Sequence, residues 1–339
     1  MPRGRCSVRG RVRGKHCVTG IDGRYRAARG VRCAGLRQPR SLPERAARGV
    51  RHASIAADRV DNARVQNDLA SLDALAAAVP SGCRLALPAD YAGVSIALTA
   101  ALLRRAPREL RLVCVPTAGL QADLLIGAGL VRSVETSAVS LGEAGGAPCF
   151  NRAVARGAIE LLDSTCPAVH AGLMAAQKGV PFATLRGLIG SDVLRHRGDW
   201  RVMQNPFSEA PDPIVALPAI HPDVAIFHAP MADRLGNVWI GRRRELAAMA
   251  YASRATYVTV ERVLEGNLMD DERTAAGVLP ALYVEALALA PNGAWPCGLW
   301  GEYPPDMAEM QRYAHLVRTE EGFRNYLAEG AFARAWEPA

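Results

Sequence analysis

From Leu69 onward, short runs of mostly apolar, β-favouring residues alternate with longer stretches whose apolar positions recur every three or four residues. That alternation is the sequence form of parallel strands joined by helices that pack back on the sheet. The candidate strands are CRLALP (83–88), LRLVCV (110–115), SVETSAVSL (133–141), AIELLD (158–163), DVAIFH (223–228), ATYVTVE (255–261) and LYVEALAL (282–289). Such runs suit the middle of a sheet buried on both faces. Between them, ALTAALLRRAP, LQADLLIGAG, FNRAVARG and AVHAGLMAAQKG carry helical spacing and close on Gly or Pro. The longest apolar stretch, VSIALTAALL (94–103), is about half of what a bilayer span needs and predicts a buried helix, so no membrane partner is expected. Residues 200–222 are proline-rich and read as a long surface loop. Two helices, PDMAEMQRYAHLVR and EEGFRNYLAEGAFARAW, are expected to close the chain. The fold class expected is α/β: an open, mostly parallel sheet of about seven strands flanked by helices, forming one domain over residues 61–339.

Charge changes the picture only at the start. The chain carries a formal +8, but residues 1–60 hold 16 Lys/Arg against Asp22, Glu44 and Asp58, a net +13, which leaves −5 for residues 61–339. Residues 1–60 are rich in Arg and Gly without apolar periodicity, and ordering them would cost entropy with little burial in return, so a disordered basic extension is expected. A nucleic-acid arm, a transit peptide and a membrane contact are its functional alternatives; frequent glycine and a single aromatic, Tyr25, argue against them, and no nucleic-acid partner is expected. No secretory apolar segment is present, which points to a cytoplasmic setting. The eight cysteines show neither CxxC pairs nor metal-ligand spacing with His, so reduced thiols and no metal are expected, with Cys166 a buried, inert thiol.

Four segments carry more than a fold class: DLLIGAGLVRSV (123–134), GVPFATLRGLIGSDVL (179–194), DVAIFHAPMADRLGNVWI (223–240) and VLPALYVEALALAPNGAWP (278–296). In this order they resemble the alpha-type chains of family I coenzyme A transferases. HAPMADRLGNV (228–238) is similar to the family's HA-x-x-AD-x-x-GN-V signature, and Tyr303, Asp306 and EGFRNYLAE (321–329) resemble the glutaconate CoA-transferase branch, so the likeness spans roughly residues 69–330.

The resemblance implies an enzyme that moves coenzyme A between carboxylic acids, with acyl-CoA and a free acid as substrates and no tightly bound cofactor. In the family a glutamate attacks the thioester and passes through an anhydride to a glutamyl-CoA thioester. The two-chain members carry that glutamate on a beta-type chain, so a beta-type partner, in a heterotetramer, is implied. The substrate- or CoA-binding candidates are Gly119, Arg186, Gly187, Ser191, Asp192, Asp233 and Asn237. Several have bland alternatives. Asp233 and Asn237 favour tight turns, Arg186 suits either a carboxylate clamp or an ordinary surface, and Ser191 suits a helix cap.

Glu143, in SLGEAGGAP, is the candidate catalytic carboxylate of this chain itself, because the segment resembles one in the ring-opening hydrolases of steroid degradation, offset by one residue. Glu261 and Glu265 are expected in capping or interface roles. Two departures from the family stand out. The glycine-rich turn after the first strand reads PADYAG (88–93), and Trp295 replaces a histidine before proline. One chain of an acyl-CoA ring-opening hydrolase, or a catalytically silent, acyl-CoA-binding scaffold, is therefore the alternative to a transferase.

Overall fold

The computed structural model describes residues 69–329. The expected basic extension and the final residues of the last predicted helix lie outside them. Along the chain run α1 (Leu72–Ala78), β1 (Arg84–Pro88), α2 (Ile96–Arg105), β2 (Leu110–Val115), α3 (Leu120–Gly127), β3 (Val131–Thr136), α4 (Pro148–Ala155), β4 (Glu160–Asp163) and α5 (Cys166–Gln177). Then follow β5 (Phe182–Leu185), α6 (Asp192–His196), β6 (Arg201–Gln204), β7 (Pro213–Pro218), β8 (Val224–Asp233), β9 (Val238–Trp239) and α7 (Arg244–Ala252). The last elements are β10 (Ala255–Leu264), α8 (Glu272–Ala275), β11 (Val278–Leu279), β12 (Ala286–Leu289), α9 (Met307–Leu316) and α10 (Glu320–Ala328).

The seven expected strands lie side by side and all parallel, in the order β12-β10-β8-β1-β2-β3-β4. Two short antiparallel strands, β9 and β11, extend it to nine along the far half of β8. Side chains alternate between the two faces, as strand geometry requires. Leu85, Leu87, Leu112 and Cys114 pack under α2 and α3, while Ala86, Val113 and Val115 pack under α5 and α7. The predicted buried helix is α2, with Ile96 through Leu102 enclosed. Helices α9 and α10 cover α3 through Tyr313, Phe323 and Tyr326.

Several expectations need correction. Residues 200–222 are not all loop: β6 and β7 join β5 in a separate antiparallel sheet, order β5-β7-β6, around Trp200, Val215 and Leu217. The third strand stops at Thr136 and the seventh starts only at Ala286, whereas β8 runs on to Asp233. Cys166 is exposed rather than buried, because it opens α5 on the outer side.

The chain adds β2, β3 and β4 outward from β1, then returns to add β8, β10 and β12 on the other side. Connections therefore leave β1 and β8 in opposite directions, which opens a crevice at their carboxyl ends.

Candidate functional site

The turn after β1 meets this crevice. Residues 90–92 form one 3-10 turn, and Asp90 swings its carboxylate onto the start of α3, where the Leu120 N–H donates to Oδ2 at 3.0 Å. This explains Gly119, since a Cβ there would overlap the Asp90 carboxylate and the Ser140 carbonyl. Its role in the structure is close approach. Asp90 Oδ1 is closed off from solvent without a hydrogen bond. Burial pushes the Asp90 carboxyl up to about 6, against the Leu120 N–H and the Cys297 thiol, which favour the charged form. Gly93, at φ +93°, lets the same turn close on β8: a Cβ would strike the His228 carbonyl and the Trp300 ring, and His228 N–H donates to Gly93 O at 2.7 Å.

Beneath the turn lies a buried polar chain. His228, fully enclosed, meets Thr259 Oγ1 through Nδ1 at 2.8 Å and Glu261 Oε1 through Nε2 at 2.7 Å. Burial lowers the His228 pKa, with Glu261 opposing, so the ring is neutral at pH 7 and has one N–H to give. An ionised Glu261 only accepts, so Nε2 carries the proton and Thr259 donates to Nδ1. The Ser95 hydroxyl, 2.6 Å from Thr259 Oγ1, then donates in turn. Glu261 also accepts from the Tyr303 hydroxyl and the Asn292 N–H, each at 2.7 Å. Burial would raise the Glu261 carboxyl, but the bonds from His228, Tyr303 and Asn292 hold it below its ordinary value. Three donors on one carboxylate fasten the segment after β12 onto β8 and β10, as the capping role expected of Glu261 implies.

That fastened segment walls a cavity of about 520 Å³ whose lining includes Tyr91, Arg243, Cys297, Trp300 and Glu302. Trp300 is wedged against Gly93 and Gly241, and the Arg243 guanidinium lies over its ring at 4.9 Å. Glu302 is paired with Arg262 at 2.8 Å. Arg243 Nε and Trp300 Nε1 are both enclosed with no hydrogen-bond acceptor among the described residues.

The sequence candidates divide by location. Glu143 is exposed on the 3-10 turn 142–144, beyond β3 at the same sheet edge, and its loop leans on Gly119 through Ser140. Arg186, Gly187, Ser191 and Asp192 lie on or beside the small second sheet. The expected carboxylate clamp of Arg186 is filled from within the chain: Nε and Nη2 donate to Asp212 at 3.0 and 2.6 Å. Gly187 borders open space. Ser191 caps α6 by accepting from Leu194 N–H, and Asp192 pairs with Arg195 at 2.7 Å. Asp233 accepts from the backbone of Leu235, Asn237 and Leu268 and from the Asn237 amide, each at 2.9 Å, and Asn237 accepts from Ala281 N–H at 3.0 Å. Both residues thus build the β8–β9 turn. Sequence reasoning missed Arg243, Trp300 and the placement of Asp90; the PADYAG departure was the one visible signal.

A family model described as Coenzyme A transferase matches residues 70–290. The chain is 30% identical over 237 residues to the A-type chain of a 3-oxoadipate CoA-transferase from Pseudomonas knackmussii, covering 67% of this chain and 80% of that protein. It is also 30% identical over 241 residues to the IpdA chain of a cholesterol ring-cleaving hydrolase from Rhodococcus jostii, covering 69% of this chain and 81% of that one. Among solved structures, the glutaconate coenzyme A-transferase of Acidaminococcus fermentans superposes with TM-score 0.70 at 25% identity, over 78% of this chain and 89% of that one.

Proposed function

We propose, from the premise that this chain belongs to the coenzyme A transferase family, that it is the alpha-type chain of a two-chain enzyme moving coenzyme A between carboxylic acids. Coenzyme A is then a substrate rather than a resident cofactor. A heterotetramer with a beta-type chain and a cytoplasmic setting belong to the same proposal. Among the described residues, no helix is long and apolar enough to cross a membrane.

One observation carries the division of labour. The carboxylates around the crevice are already committed: Glu261 to three donors, Asp90 to α3, Glu302 to Arg262. The attacking carboxylate is therefore assigned to the companion chain. It attacks the thioester carbonyl, expels CoA thiolate and forms an acyl anhydride. The thiolate then attacks the glutamyl carbonyl, releasing the first acid and leaving a glutamyl-CoA thioester for the acceptor acid. This chain supplies one wall of the crevice and keeps water from both covalent intermediates.

The test is transfer of CoA from an acyl-CoA to a free acid by the chain alone, by a beta-type companion alone and by the pair, with mass spectrometry of the companion. Turnover is expected only in the pair, with a CoA-sized adduct on the companion's glutamate. Full turnover by the lone chain would refute the assignment, and a pair without saturable thioester turnover would indicate a silent scaffold. A hydrolase reading is favoured by one observation, the exposed Glu143 on its glycine-framed turn. Under that reading Glu143→Gln abolishes turnover; under the transferase reading it does not.

A further inference from the structure

The cavity beside the β1 turn carries an imbalance that the proposed reaction does not explain. Elsewhere the enclosed or half-enclosed arginines Arg84, Arg197, Arg262 and Arg312 each face a carboxylate of this chain within 2.9 Å. Arg243 faces none among the described residues: it lies flat over Trp300, and its Nε is sealed from water with no acceptor. Trp300 Nε1 on the same wall is stranded too. Two buried N–H donors without partners are a cost that native folds rarely leave standing unless something else satisfies them. Trp300 cannot turn away, because its ring is held against Gly93 and Gly241. The loop bearing it is fastened through Tyr303 to Glu261.

We infer that Arg243 and Trp300 form the seat for a carboxylate at the end of the substrate remote from the thioester, making this pair the specificity determinant for dicarboxylic over monocarboxylic acids. The inference rests on the transferase reading for the identity of the reacting end, but its geometry does not. A guanidinium recognises a carboxylate through a pair of N–H donors, and stacking on an indole holds it ready to do so. The charge on this wall matches a monoanion. Glu302 is neutralised by Arg262, which leaves the single positive charge of Arg243. A phosphate dianion of coenzyme A would meet only half its charge here, beside the acidic Asp90 and Glu261. The exposed ring of Tyr91 and the Trp300 face supply apolar surface for the carbon chain between the two ends.

The experiment uses the two-chain enzyme with glutarate and valerate, five-carbon acids that differ only in the second carboxylate. The readout is the ratio of kcat/KM for glutarate over valerate as CoA acceptors, alongside equilibrium binding of glutarate, valerate and free CoA by calorimetry. The wild type is expected to favour glutarate, with Arg243→Gln lowering the ratio about tenfold to a hundredfold, the range of a lost charge-assisted hydrogen bond. Arg243→Lys keeps the charge but not the paired donors and should fall between them, Trp300→Phe should lower the ratio less, and Arg242→Gln, on the neighbouring position, should leave it unchanged. An unaltered ratio in Arg243→Gln overturns the inference while leaving the transferase reading intact. So does a variant that loses affinity for free CoA but not for glutarate, which would make the anion the coenzyme's phosphate. Should no transfer occur with any acid, the calorimetry still decides: Arg243-dependent glutarate binding keeps the seat, and binding indifferent to Arg243 removes it.

Discussion

Replacing Asp90 by Asn isolates a contest between two effects on one carboxyl. The start of α3 and its Leu120 N–H favour the carboxylate, as helix N-termini do. Burial disfavours it, and burial prevails, since the pKa rises from 3.8 unfolded to about 6 folded. The folded protein therefore binds more protons between those values, and stability must fall as pH rises through about 6. Above pH 7 the full cost of the buried charge is about 3 kcal/mol, from roughly two pKa units at 1.36 kcal/mol each. Lowering the pH from 8 to 5 should recover about 1.4 kcal/mol of it. Asn keeps an oxygen for Leu120 and does not titrate, and any fixed cost of its amide cancels in a double difference. Urea unfolding of wild type and Asp90→Asn at pH 5 and pH 8 gives that difference directly. Wild type should gain on the variant at the lower pH. No gain, or a gain at the higher pH, would mean that the helix terminus outweighs desolvation and would refute the raised acid.

Glu261→Ala removes the acceptor shared by His228, Tyr303 and Asn292 and should cost about 3–5 kcal/mol, as breaking one side of a buried charged network does. Urea midpoints would show the loss, and faster amide exchange over residues 291–305 would locate it. Arg186→Ala breaks an exposed pair on the second sheet; transfer rates and urea midpoints should stay at wild-type levels, whereas lost activity would return Arg186 to the substrate site.

Which parts of this protein can be read in its sequence follows from what makes each part stable. All seven parallel strands were legible, because a strand buried on both faces must be apolar along its whole length, and β1 and β2 are nearly so. The second sheet was not. Its strand β6, Arg201–Gln204, is exposed throughout, and β7 begins and ends on proline, so neither leaves the apolar run that marks a buried strand. Their register is written in pairing with β5, a long-range fact. Strand β8 outran its expected end at His228 because β10 matches it along its length to Asp233, support that no local pattern records.

The same division governs the site. Motifs such as HAPMADRLGNV identify the family because they build turns whose bonds are mostly local, as the contacts from Asp233 to Leu235 and Asn237 show. Recognition chemistry depends instead on what lies opposite. Arg186, set among glycines, reads as an open clamp until the fold brings Asp212 against it. Arg243, in an undistinguished run of three arginines, reads as solvent-facing until the fold gives it Trp300 and withholds a carboxylate. An arginine is available to a ligand only if its own chain has left it unpaired, and that condition belongs to tertiary structure. The place to look for this enzyme's selectivity is therefore where the chain departs from its family, at the PADYAG turn and the Trp300 wall it closes upon, rather than where it matches.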